Sequence, residues 1–267
     1  MELTHENYYS VEANMEYMSV SQFKDFQRCE LYGLKKAIGE YVEEKSTALL
    51  VGGYMDAHFS NRLEDYKLEN PQILKKDGTL KSDYEKANEC ITVAENDDFF
   101  MNEINGEKQV IVTGIINGVK WKGCYDFLNT KIVDMKLVAS IRELVWKYDP
   151  ISKRNYQTDF IDAYGYDTQG AVYQELGRQV FKKEFPFEIA AISKEEQPDK
   201  AIIEIDQEYL DKALEEVKEL TVRYDMIKKG LVEPNRCGCC PVCRKYNRLD
   251  RVVSYKELFN KENDTNE

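Results

Sequence analysis

Residues 110–138 constrain the fold of this chain more than any other stretch. Val110, Val112, Gly114 and Ile116 alternate along one strand, and Asn117-Gly118 follows directly. A two-residue hairpin needs positive φ at both central positions, which Asn and Gly adopt most readily, so a tight turn is expected there. A second strand covers about 119–128. Asn129-Thr130 turns the chain again, and a third strand covers 131–138 with Ile132, Met135 and Leu137 as its apolar content. These segments predict a three-stranded meander.

The meander carries charge where a sheet would bury it. Asp134 and Lys136 are two apart on the third strand and so share a face. Asp126, on the second strand, falls close to Asp134 across the hairpin, within reach of a shared ion. A solvated strand face is the plain alternative, but the aromatic and β-branched neighbours argue for burial. Two close buried carboxylates repel unless they are paired or metal-bound. Metal-dependent phosphodiester hydrolysis uses such a set. The carboxylates hold a divalent cation, while cation and lysine neutralise the phosphate and help to make hydroxide.

The surrounding pattern is helical. Ser19 and Gln22 form a capping box for a helix to about residue 40, with Val20, Phe23 and Phe26 recurring at spacing three. A second helix covers about 48–65, weakened by Gly52-Gly53, a pair that would admit another backbone. Lys76-Asp-Gly-Thr79 is a turn, and Ser82 caps a third helix to about 95. After the meander, 146–158 reads as an irregular charged segment and about 160–183 as one helix. Two further strands are expected at 187–193 and 201–205, then a long helix from Asp206 to Gly230. The tail after 261 reads as disordered. The fold class is α/β, a central mixed sheet of about five strands flanked by helices. One domain is expected over 1–267, with an N-terminal helical part (about 18–95) and a C-terminal Cys-rich segment (about 234–251).

Seven cysteines are present, and four lie in Cys237-Gly-Cys239-Cys240-Pro-Val-Cys243. Cys237, Cys240 and Cys243 form a C-x-x-C-x-x-C array, which points to metal rather than disulfides in a reducing cytosol. Two readings stand: a zinc knuckle built from the local thiolates, or three of them with an outside ligand, and an iron–sulfur cluster closed by a remote cysteine.

Net charge bounds the partners. With 37 basic and 49 acidic residues the chain carries −12, which argues against broad nonspecific nucleic-acid binding but leaves room for a local positive groove. No apolar run approaches the roughly 18 residues of a membrane helix, and the acidic start Met1-Glu-Leu-Thr-His-Glu6 lacks a signal-peptide core. A cytoplasmic protein without a membrane partner is expected.

Gly123-x-x-Asp126, Asp134-x-Lys136 and Gln169-Gly-Ala-Val-Tyr173, in this order, resemble the PD-(D/E)XK nuclease superfamily. The chain is most similar to its RecB-like branch and to phage-type exonucleases of the exodeoxyribonuclease VIII kind. The stretch Met18-Ser-Val-Ser-Gln-Phe-Lys-Asp-Phe-Gln-Arg-Cys29 resembles the opening helix of these proteins. The resemblance implies a restriction-endonuclease-like core. It makes Asp126 and Asp134 ligands of Mg2+ or Mn2+, with the Met135 backbone carbonyl as a third oxygen and Lys136 acting on water or phosphate. Gln169 and Tyr173, four apart on a helix, would sit beside them. His58 would be an additional metal ligand, with Glu30, Asp56 and Glu64 as less specific alternatives. Cys29 would join Cys237, Cys240 and Cys243 around a [4Fe–4S] cluster or a zinc ion, although the trio's spacing departs from better-known cluster trios and leaves Cys239 unassigned.

The implied activity is an exonuclease on linear double-stranded DNA in phage-type recombination, working with a single-strand annealing protein and capable of forming an oligomer. A RecB-like repair or CRISPR-adaptation nuclease is the first alternative. The second is a non-catalytic DNA-binding or scaffold protein with a Cys-bound metal.

Overall fold

The computed structural model describes residues 1–149, 154–249 and 251–258. The expected tail after 261 lies outside them. Five strands form one mixed sheet. They are β1 (Glu107–Ile116), β2 (Val119–Leu128), β3 (Ile132–Val138), β6 (Phe187–Ser193) and β7 (Lys200–Glu204), in the order β1-β2-β3-β6-β7. Only the β3–β6 pair is parallel. The strands between, β4 (Val145–Asp149) and β5 (Arg154–Thr158), make a separate two-stranded ribbon.

The predicted turn is present. Asn117 and Gly118 both have positive φ, 46° and 79°, and they join Ile116 to Val119 across the register. Side chains are sorted to two covered faces, with the alternation along β2 interrupted between Tyr125 and Phe127, beside the left-handed Gln109. Trp121, Tyr125, Ile132 and Phe187 pack on one face, with α2 (Val20–Arg28), α9 (Tyr166–Phe181) and α10 (Gln207–Lys228). Phe127, Val133, Met135 and Ala190 pack on the other, against α4 (Thr47–Phe59) and α6 (Ser82–Glu95). Every residue of β6 is buried, as expected for a strand covered on both sides.

Several expected elements are divided. The lead-in contains a short helix, α1 (Val11–Glu16), capped by Ser10. The helix expected over 19–40 breaks at Cys29, whose backbone is extended (φ −171°, ψ 123°), and resumes as α3 (Glu30–Ala37). Only half of the capping box forms. Ser19 Oγ accepts from the Gln22 amide, but the Gln22 side chain donates to Asn14 Oδ1 instead. α4 ends at Phe59, and α5 (Leu63–Glu69) follows. Gly53 admits the Tyr66 ring, not a backbone, and Gly52 meets nothing. A helix missed in the sequence, α7 (Asp98–Glu103), starts at the Asp97 cap. Residues 160–183 divide into α8 (Phe160–Tyr164) and α9 around Gly165, which is left-handed at φ 63°. The segment 146–158, expected to be irregular, holds the β4–β5 ribbon.

Candidate active site

The β2–β3 ladder pairs only Phe127 with Val133 and Leu128 with Ile132. Beyond these two pairs the strands part, and the residues bordering the opening are Asp126 on β2 and Asp134 to Lys136 on β3. Asp126 Oδ2 accepts a hydrogen bond from the Met135 amide at 2.9 Å, taking the place of a ladder bond. A strand residue's N–H and C=O leave the same edge, so the Met135 carbonyl also faces Asp126 rather than β6.

Asp134 is buried. Its Oδ1 accepts from Gln169 Nε2 at 2.7 Å, and Oδ2 lies against Lys136 Nζ. Lys136 is cradled by a ring, with Nζ 5.1 Å from the centroid of Tyr166. Tyr173 is buried beneath and donates to the Cys124 carbonyl at 3.0 Å. Gly123 gives that ring space, since a Cβ there would stand 3.1 Å from it. Gln169 and Tyr173 thus reach the carboxylate and the strand backbone from one face of α9.

The electrostatics match a site short of positive charge. Burial, then repulsion from Asp134 and Asp56, pushes the Asp126 carboxyl well above its ordinary range. Burial would lower the Lys136 ammonium, but Asp134 and Asp126 outweigh it and hold its pKa up. Asp56, on α4, is the third carboxylate. It is also shifted upward, by burial first and with Asp134 contributing. A divalent cation would relieve this repulsion, and carboxylate and carbonyl oxygens such as those of Asp126, Asp134, Asp56 and Met135 are hard donors of the kind Mg2+ or Mn2+ takes.

His58 is placed elsewhere. Its Nε2 lies 2.8 Å from Glu95 Oε1, and its ring stands edge-on to Phe59. Two residues earlier on the same helix, Asp56, one of the alternatives to His58, is the carboxylate that feels Asp134 and Lys136. Glu30 is also remote, bound by Arg223 at 2.6 and 2.8 Å and by the Asn235 amide at 2.7 Å. Glu64 pairs with Lys67 on the surface.

Three neighbours escaped the sequence reading. Gln109 of β1 is held left-handed at φ 55° and donates through Nε2 to Asp56 Oδ1 at 2.9 Å. Lys24 of α2 donates to the Tyr164 carbonyl at 2.7 Å and lies 5.5 Å from the centroid of the Tyr166 ring that Lys136 also approaches. Burial and the nearby Lys136 lower its pKa to about 8. Tyr166 is the third. No local motif marks these residues, because the turn at Gly165 and the strand twist bring them in.

The cysteines converge on a second site. The sulfurs of Cys29, Cys237, Cys240 and Cys243 all lie within 4.8 Å of one another. Cys29 Sγ is 3.6 Å and Cys237 Sγ 3.9 Å from Cys243 Sγ. The amides of Cys240 and Cys243 point at the sulfurs of Cys237 and Cys240, each at 3.3 Å. Burial opposes ionisation of Cys237, but the Cys239 and Cys240 amides hold its thiol down to about 6. Cys239 is exposed and stands outside the tetrad. Leu31, Tyr32 and Val242 pack round the cluster. The four thiolates could hold a metal ion.

No helix among the described residues is long and apolar enough to cross a membrane. No curated protein matches the chain. Among solved structures, a protein from Eubacterium rectale named as a candidate exonuclease is 44% identical and superposes with a TM-score of 0.90. The match covers 97% of this chain and 98% of that one. The family model of a PDDEXK-like domain of unknown function (DUF3799) matches residues 19–246. With its five-stranded mixed sheet parting at Asp126 and Asp134, the chain belongs to this PDDEXK-like family.

Proposed function

We propose that the protein is a Mg2+- or Mn2+-dependent deoxyribonuclease acting as an exonuclease on linear double-stranded DNA. The carrying observation is the convergence of Asp56, Asp126, Asp134 and Lys136 where β2 and β3 part. A divalent ion bound by these oxygens would act as Lewis acid and lower the pKa of bound water. Lys136, charged and held between Asp134 and the Tyr166 ring, presents its ammonium to the attacking water or a phosphate oxygen. Gln169 fixes the rotamer of Asp134, and Gln109 that of Asp56. The chemistry needs no covalent intermediate. The name of the similar Eubacterium rectale protein supports the exonuclease reading. A role in phage-type recombination beside a single-strand annealing protein follows from the family resemblance.

The tetrad we assign to zinc. Four thiolates on one tetrahedral zinc, about 2.3 Å from the metal, stand roughly 3.8 Å apart. The 3.6 and 3.9 Å separations here fit that geometry. In a [4Fe–4S] cluster each thiolate binds a different iron, which spreads the sulfurs more widely.

The test is cleavage of end-labelled linear duplex, with and without Mg2+ or Mn2+, beside a covalently closed circle and Asp134→Ala. Metal-dependent loss of the linear DNA alone, absent in the variant, supports the proposal. Cutting of the circle would move the assignment to an endonuclease. Binding without cleavage under any ion would move it to a DNA-binding protein.

A further inference from the structure

The β4–β5 ribbon stands outside the main sheet, and its two faces differ in chemistry. Cross-strand pairing puts Lys147 with Tyr156 and Val145 with Thr158 on one face. That face is fastened to α8. Lys147 Nζ donates to the Asp162 carbonyl at 2.9 Å and to its Oδ1 at 3.0 Å, and Tyr156 donates to Oδ2 at 3.4 Å. The other face pairs Trp146 with Gln157 and Tyr148 with Asn155. All four are exposed, Trp146 at 70% and Tyr148 at 56%. Single exposed apolar side chains are ordinary, but adjoining exposed rings on one face can mark a contact surface. This face joins two rings to two amides and carries no carboxylate among the four.

Its position selects the occupant. From α8 the chain passes through Gly165 into Tyr166, the ring that touches Lys136. Lys24, beside Tyr166, feels the charges of both Lys136 and Lys147, so the fastened face of the ribbon lies within electrostatic reach of the candidate site. Rings two residues apart on a strand sit roughly 6.8 Å apart. That is about twice the 3.4 Å rise of stacked bases, so one base fits between Trp146 and Tyr148. The amides of Asn155 and Gln157 can meet base edges without choosing among them.

We propose that the outer face of the β4–β5 ribbon is a stacking platform for unpaired nucleotides of the DNA strand next to the scissile phosphate. This rests on the nuclease reading above. Stacking tolerates any base, as processive degradation of arbitrary sequence requires.

The chain supplies its own probe. It has two tryptophans; Trp121 is fully buried and Trp146 exposed, so ligand-induced quenching reports Trp146. The experiment titrates the full-length protein with a 20-nucleotide oligo-dT, without added divalent ion, following tryptophan emission and gel shift together. Quenching is expected. Trp146→Phe should bind with near-normal affinity but lose the signal. Trp146→Ala and Tyr148→Ala should each weaken binding by roughly 5- to 150-fold and raise KM on linear duplex more than they lower kcat. A gel shift without quenching would overturn the platform and leave the nuclease reading standing. Emission already shielded in a self-associated protein, with no further change on DNA, would make the ribbon a protein interface and overturn the platform too. A wild type that neither binds nor cuts DNA would overturn both readings.

Discussion

A single substitution separates the acting group from the scaffold at Lys136. Lys136→Ala is expected to abolish cleavage while leaving DNA affinity nearly intact, because in the proposed mechanism the ammonium, held between Asp134 and the Tyr166 ring, serves the reacting phosphate; equal cleavage by the variant would remove it from the mechanism. Asp56→Asn should lower activity roughly 10- to 100-fold, with a higher Mg2+ requirement, whereas His58→Ala should stay close to wild type. The opposite order in a metal titration would restore the histidine. Gln109 allows a sharper test. A non-glycine residue at positive φ inside a strand costs on the order of 1 kcal/mol or more. Gln109→Gly should therefore raise the melting temperature or leave it unchanged while lowering activity, since Asp56 loses its hydrogen bond. At this scale the sequence was informative where residues sit two or four apart. Asp134 with Lys136, and Gln169 with Tyr173, follow from strand and helix periods. Asp56 was only one of several alternatives, because nothing local shows which face of α4 turns to the sheet.

Elements were legible when their ends carried turn chemistry. Asn117-Gly118 fixed the β1–β2 hairpin, and β2, β3 and β6 lie within a residue of the expected bounds. Internal breaks were not legible. Cys29 is extended because its sulfur turns toward Cys243, a partner 214 positions away. Gly165 splits a helix whose apolar period runs on through it. The β4–β5 ribbon has no apolar alternation, since its inner face is tied by Lys147 and Tyr156 to Asp162 rather than by packing. The tetrad gives the element-scale prediction. Cys240→Ser should lower the melting temperature more than Cys239→Ser, because Cys240 is buried in the cluster and Cys239 is not. Zinc analysis of the purified protein should give one ion per chain, and a brown iron-loaded protein would reverse the assignment.

Across the whole molecule, buried lysines couple stability to pH. Lys228 donates to the Tyr17 carbonyl at 2.8 Å and to Gln22 Oε1 at 3.2 Å, and burial lowers its pKa to about 7. Lys122 is lowered to about 8 by burial. The unfolded chain keeps these protons to about pH 10.4. Between pH 7 and 10 the unfolded chain therefore holds more protons at these two lysines than the folded chain, and their contribution to stability rises with pH. Each group can contribute up to about 1.4 kcal/mol per pH unit. Lys228→Met should make the slope of melting temperature against pH from 7 to 9 less positive than in the wild type, even if it shifts the curve. An unchanged slope would show that Lys228 keeps its proton. The sequence could place these lysines on β2 and α10, but not the closure of α1 and α2 over them.

The tetrad also orders events in time. Cys29 leaves the ribosome early, and Cys237, Cys240 and Cys243 emerge more than two hundred residues later. Until they do, the junction of α2 and α3 has no cluster to close on. α2 itself packs on the sheet through Phe23 and Phe26, so what waits for the last cysteines is the closing of its end against α3. Closure of that junction is thereby tied to the order of synthesis.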